Sequence, residues 1–171
     1  MRSFKDRLAG HFAKVAVAGA ALAGSAATAD AAIVHSGTVN ITIPSTTQGV
    51  YLNVATGVNS TSVAAVPGWD INLWGSSGLG FFNPSSPAGG VYVVTAPVFA
   101  ANLVPGATID GSSTFGSGSV ANSNQWNLDS SSNLFGFRFL NEDTNEVHYG
   151  WGRISLSDTI AAQPRAIVEY A

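Results

Sequence analysis

The residues best suited to chemistry in this chain are a few carboxylates and the aromatic rings near them. Asp70 follows Trp69 and precedes Asn72 and Trp74. Planar rings with carboxylate and amide groups are the ingredients of a sugar site. Trp69, Asp70, Asn72 and Trp74 are therefore the candidate carbohydrate-binding residues, with Trp126 as a further ring. Trp residues in a small β-domain also serve as core, and both uses are open at this point. Hydrolysis of a glycoside needs two carboxylates flanking a groove. Glu142, Asp143 and Glu146 are close in sequence, but they share one polar turn, where water gives no reason for one pKa to depart from the other. Asn141, Glu142, Asp143, Asn145 and Glu146 could offer calcium enough oxygen. Their order is not that of an EF-hand, so the expectation is a solvated loop that keeps a sheet soluble.

Other catalytic groups are missing. The chain has no Cys, which excludes disulfides, iron–sulfur clusters and thiol catalysis. Beyond residue 32 it has only His35 and His148, too few for a zinc site. His148 reads as a structural residue sharing a face with Phe137 and Phe139. There is no G-x-S-x-G and no S-x-x-K. Gly78-x-Gly80 and Gly116-x-Gly118 lack the third glycine of a phosphate loop. The expectation is a protein that is not an enzyme and carries no cofactor.

Charge placement says where the chain goes. Arg2, Lys5, Arg7 and Lys14 precede the apolar run Val15–Gly24, and small residues then lead to Ala29-Asp30-Ala31. That is the layout of a secretory signal peptide. Residues 1–31 are read as the leader, with cleavage after Ala31, or alternatively after Ala29, and residues 32–171 as one domain. The apolar run is too short to span a bilayer, and no later segment is long and apolar enough to do so. Residues 32–171 have three Arg, no Lys and eight acids, a formal charge of −5. Such a domain cannot displace counterions from a phosphate backbone, which excludes nucleic acid as a partner.

Gly, Ser, Thr and Asn make up 57 of those 140 residues, yet seven Phe, four Trp and four Tyr sit among them in short apolar runs. Short strands punctuated by Gly/Asn/Ser turns explain both features. Strands are expected at residues 34–43, 50–54, 70–74, 79–82, 91–95, 134–140, 147–156 and 165–170, with loops and some strand in 60–67 and 103–125. No βαβ spacing occurs. The fold class is therefore all-β, an antiparallel β-sandwich of jelly-roll-like type.

The last third predicts its own pairing. Leu134–Leu140 alternates strictly and Val147–Leu156 follows a polar loop. Setting Leu140 opposite Val147 puts Phe137 opposite Gly150, Phe135 opposite Gly152 and Trp151 opposite Gly136. A ring can cover a glycine that has no side chain to clash. Arg138 falls opposite Tyr149 and diagonal to Trp151, a cation–π geometry. Glu169 on the last strand is the expected partner of the hairpin arginines. Gly136, Arg138, Tyr149, Gly150, Trp151 and Gly152 are thus read as structural residues.

Phe137-Arg138-Phe139, His148-Tyr149-Gly150-Trp151-Gly152 and Glu169-Tyr170-Ala171 also resemble the C-terminal part of exported bacterial proteins of the PEP-CTERM type, and Asp70-Ile71-Asn72-Leu73 looks like that family's Asp-x-Asn strand. The resemblance covers about forty residues. It implies an envelope or extracellular location in a Gram-negative bacterium that makes exopolysaccharide, and no particular activity. The sorting signal itself (a Pro-Glu-Pro box, an apolar helix and a basic tail) is absent from this chain. A fragment and a released protein are both open. The expectation is a secreted or cell-surface, non-enzymatic protein, structural and associated with surface polysaccharide or with itself. The alternative is a lectin-like carbohydrate-binding module, calcium-assisted.

Overall fold

Strict alternation in the C-terminal third becomes the longest hairpin of the molecule. The computed structural model describes residues 33–95, 99–117, 120–121 and 125–171; the leader assigned to residues 1–31 lies outside them. Val34–Ala171 forms one compact unit. Its strands are β1 (Ile41–Thr42), β2 (Val50–Leu52), β3 (Asn59–Ser60), β4 (Ile71–Trp74), β5 (Gly80–Phe82), β6 (Gly90–Thr95), β7 (Phe99–Ala100), β8 (Phe115–Gly116), β9 (Val120–Ala121), β10 (Ser130–Asn141), β11 (Glu146–Leu156) and β12 (Ala166–Tyr170). The fold is all-β, an antiparallel sandwich in which, among the described residues, only the short β7–β9 contact is parallel.

The first sheet runs β1-β12-β11-β10-β6, with β8 also on β6, and the second runs β3-β2-β4-β5-β9-β7-β6. β6 belongs to both: Val91 pairs with Phe137 of β10, and Val93 with Ala100 of β7. Between the sheets lie Ile43, Leu52, Ile71, Leu73, Phe81, Phe135, Phe137, Ile154 and Ile167, all at most 1% exposed. Phe81 of β5 meets Phe135 of β10 with ring centroids 5.3 Å apart, and Trp126 stacks on Phe81 at 5.5 Å. Trp126 is thereby a core residue, 4% exposed, and not part of a sugar site.

The β10–β11 register is the one expected, from Leu140 opposite Val147 to Phe135 opposite Gly152. Two of the three ring-on-glycine matches form. A Cβ on Gly150 would lie 2.6 Å from Phe137 Cζ, and one on Gly152 would collide with the Phe135 ring. The third does not. Gly136 is roofed by Leu103, Ile109 and Tyr92 on the outer face. Trp151 is half-buried and packs against His35 at 5.6 Å. Paired residues share a face, but register alone does not decide which neighbouring ring leans over which glycine.

The sequence predicts one strand over residues 34–43. They run beside β12, with Ser36 and Val39 donating to the carbonyls of Tyr170 and Val168. Gly37 and Asn40, at φ +70° and +50°, break the ladder, so only Ile41–Thr42 is regular. β3, β7, β8 and β9 have two residues each, too few for a pattern to mark.

Candidate functional site

The second sheet has one face in the core and one face outward. Val50, Leu52, Ile71, Leu73 and Phe81 point inward. Their neighbours form a cross-strand row, Tyr51 opposite Asn72 and Asn72 opposite Phe82. Trp69 precedes β4 and lies 5.2 Å from the Tyr51 ring, edge-on, and 5.5 Å from Phe82, stacked. Contact with both flanking rings sets Trp69 over Asn72, which is 3% exposed. The Asn72 amide donates to Gln48 O at 2.8 Å. Phe82 remains 44% exposed. The result is an aromatic platform on the outside of the sheet. Trp74 lies on the same face in the next row, its indole 2.7 Å from where a Cβ of Gly80 would stand. It covers backbone, and its role there is structural.

Of the four sequence candidates, the platform gathers Trp69 and Asn72, with Trp74 beside them. Asp70 is not on it. Alternation would aim Asp70 outward with Asn72, but it stands before the strand begins and is 2% exposed. Its Oδ2 accepts the Val54 N–H at 2.8 Å. Burial pushes its pKa up to about 7; the Val54 bond works against that rise, and the negative charge of Glu142 adds to it. Glu142 is exposed and its carboxylate sits against Gly68, where a Cβ would overlap it. Tyr170, in the core beside Asp70, has its phenol pushed up to about 12 by burial and then by the Asp70 charge. Asp70 is thus a buried, internally bonded carboxyl. An acid of this pKa suits proton transfer, but the open groove of the first sheet does not reach it. That groove, about 280 Å³, lies under residues 103–109 and is lined by Leu103, Ile109, Leu134, Trp151 and Glu169 among others.

The loop between β10 and β11 uses its oxygens locally. Asn141 Oδ1 accepts the Asp143 N–H at 3.0 Å, and the Asn141 carbonyl accepts the Asn145 N–H at 2.7 Å. No group of three or more His, Asp or Glu able to hold a metal occurs among the described residues.

The arginines divide three ways. Arg153 Nε donates to Glu169 at 2.7 Å, and His35 approaches the other carboxylate oxygen at 3.2 Å. Arg153 first, and His35 after it, hold the Glu169 carboxyl below the usual range. Arg138 does not stack on Tyr149 or Trp151. Its guanidinium sits 4.9 Å from the centre of the Phe115 ring, and its Nε donates to Gly89 O. Phe115 comes from a segment read mainly as loop, and β8 carries it over the first sheet, next to Tyr149 at 5.8 Å. Arg165 drew no attention in the sequence, yet it is 1% exposed. All its guanidinium N–H groups donate to carbonyls: Nε to Ile43, Nη1 to Gly78 and Ile160, Nη2 to Pro44 and Gly75. Five donors in a rigid fork suit such a knot of carbonyls. The Arg165 fork ties the segment after β1 to the β4–β5 turn and to the approach to β12. Burial lowers its pKa.

Tyr51 and Phe82 were also missed as site residues. Their signal was the alternation of each strand, which sets a ring outside beside an apolar residue inside. No family model, no curated protein and no solved structure matches the chain.

Proposed function

We propose that this is an exported, non-enzymatic protein of the cell surface or extracellular matrix that acts by contact with surface polysaccharide. The observation that carries the reading is the contrast between two places. The ring platform of the second sheet reaches solvent through Phe82, 44% exposed, whereas the one carboxyl tuned toward neutrality among the described residues is closed off and bonded to Val54. Export is argued from the basic, apolar and small-residue layout of residues 1–31. The likeness to PEP-CTERM proteins around Phe137–Phe139 and His148–Gly152 agrees with it. Weak contacts to a polymer add up when many copies bind one chain.

The lectin-like module is the second reading, favoured by the same platform, and it differs in requiring a defined sugar. Co-sedimentation of the protein with the producer's own exopolysaccharide tests the proposal, with pelleting expected to survive high salt. A hydrolase panel over esters, peptides and glycans is expected to show no turnover. Turnover abolished by Asp70→Asn would place an active site at Asp70 and refute the proposal. Failure to pellet with any polysaccharide would refute it as well.

A further inference from the structure

Residues 36–109 supply β1 to β7 and contain one formally charged side chain, Asp70. Asp70 is 2% exposed. The outer face of the second sheet around Tyr51, Trp69 and Phe82 therefore presents rings and hydroxyls, and among the described residues no Lys, Arg or His of these strands meets a uronate, sulfate or phosphate there; the nearest charge brought in from elsewhere is the exposed Glu142 carboxylate against Gly68, which is negative. The acids of residues 110–171 give the domain as a whole a negative charge, which opposes an anionic polymer further.

Resting on the polysaccharide reading, we infer that the row Tyr51–Trp69–Phe82 is a contact site for a neutral glycan chain. Ring faces pack against the C–H faces of pyranoses, and that contact needs no charge. Trp69 stacks on Phe82 at 5.5 Å and meets Tyr51 edge-on at 5.2 Å, so the three rings brace one another, and Phe82, 44% exposed, is the ring most open to a sugar. Tyr51 of β2 and Phe82 of β5 flank Asn72 of β4, and Trp69, from the segment before β4, lies between the two rings. Ser60 of β3, opposite Tyr51, extends the same face with a hydroxyl.

Affinity electrophoresis of the full chain tests this in gels containing β-1,3-glucan, galactomannan or dextran, with alginate and hyaluronate as anionic probes. Retardation by at least one neutral polymer is expected, unchanged in high salt. Phe82→Ala should weaken it by about tenfold, and Trp69→Ala by at least as much. Tyr149→Ala, on the other sheet, should leave it unchanged. Phe82 is exposed enough for its variant to fold, and thermal melting checks both. Neutral-glycan binding that survives both variants overturns the site but leaves the polysaccharide reading standing. Retardation only by alginate or hyaluronate, lost in salt, overturns the neutral class alone. Binding to none of the five probes overturns this inference, while co-sedimentation with the native exopolysaccharide decides the broader reading separately. Dimerisation abolished by Phe82→Ala, with no glycan bound, would assign the face to a second copy and likewise overturn it.

Discussion

Replacing Asp70 by Asn should raise stability in neutral and alkaline solution relative to its effect in acid. The Asp70 carboxyl moves from 3.8 to about 7 on folding, chiefly because burial disfavours its charge. Below pH 3.8 it is protonated in both states and costs nothing. As pH rises toward 7 the unfolded chain ionises while the folded protein holds the proton. Stability falls by about 1.4 kcal/mol per pH unit in that window, about 4 kcal/mol in all, and the loss is complete above pH 7. Asn keeps an oxygen for the Val54 N–H and cannot ionise. Its extra N–H groups add a cost that does not vary with pH, so the measurement that matters is the variant-minus-parent difference. That difference should climb between pH 4 and 7 and then level off. Melting temperatures from pH 3.5 to 8.5 read it directly, with a swing on the order of 10 °C. The other carboxylates, Glu169 among them, titrate equally in both proteins and cancel. Glu142→Gln in the parent should shift the Asp70 transition to lower pH, because the Glu142 charge raises that pKa. A difference that stays flat across the whole range would refute the argument that Asp70 is buried and proton-holding.

Arg165→Lys should destabilise the domain by about 3 kcal/mol in urea unfolding, since an ammonium has three donors where five carbonyls wait. Gly152→Ala should cost about 1–3 kcal/mol through overpacking against Phe135, whereas Trp151→Ala, at a half-buried ring, should cost about 1–2 kcal/mol by the same measurement. N-terminal sequencing of exported protein should return Ala32, and material that still begins at Met1 would contradict the leader.

The sequence determined a good deal through local pattern alone. Alternation in Leu134–Leu140 and Val147–Leu156 set both the strands and their register, because a one-residue slip would turn the Phe side chains out of the core. It also set which rings of β2 and β5 face outward, and the scarcity of charge from residue 36 to 109 is plain in the chain itself. Tertiary structure decided the rest. Asp70 has the right company in sequence for a sugar site, but its carboxyl lies inward because the Val54 N–H lies there. Arg138 found Phe115 and not Tyr149, since β8 crosses its face from a distant part of the chain. Arg165 looks in sequence like one more strand residue, but five carbonyls from three separate segments converge on it. A repeat of two residues is written into neighbouring positions and can be read from them. A partner that arrives through chain folding is set by the closing of the two sheets, and no local spacing encodes it.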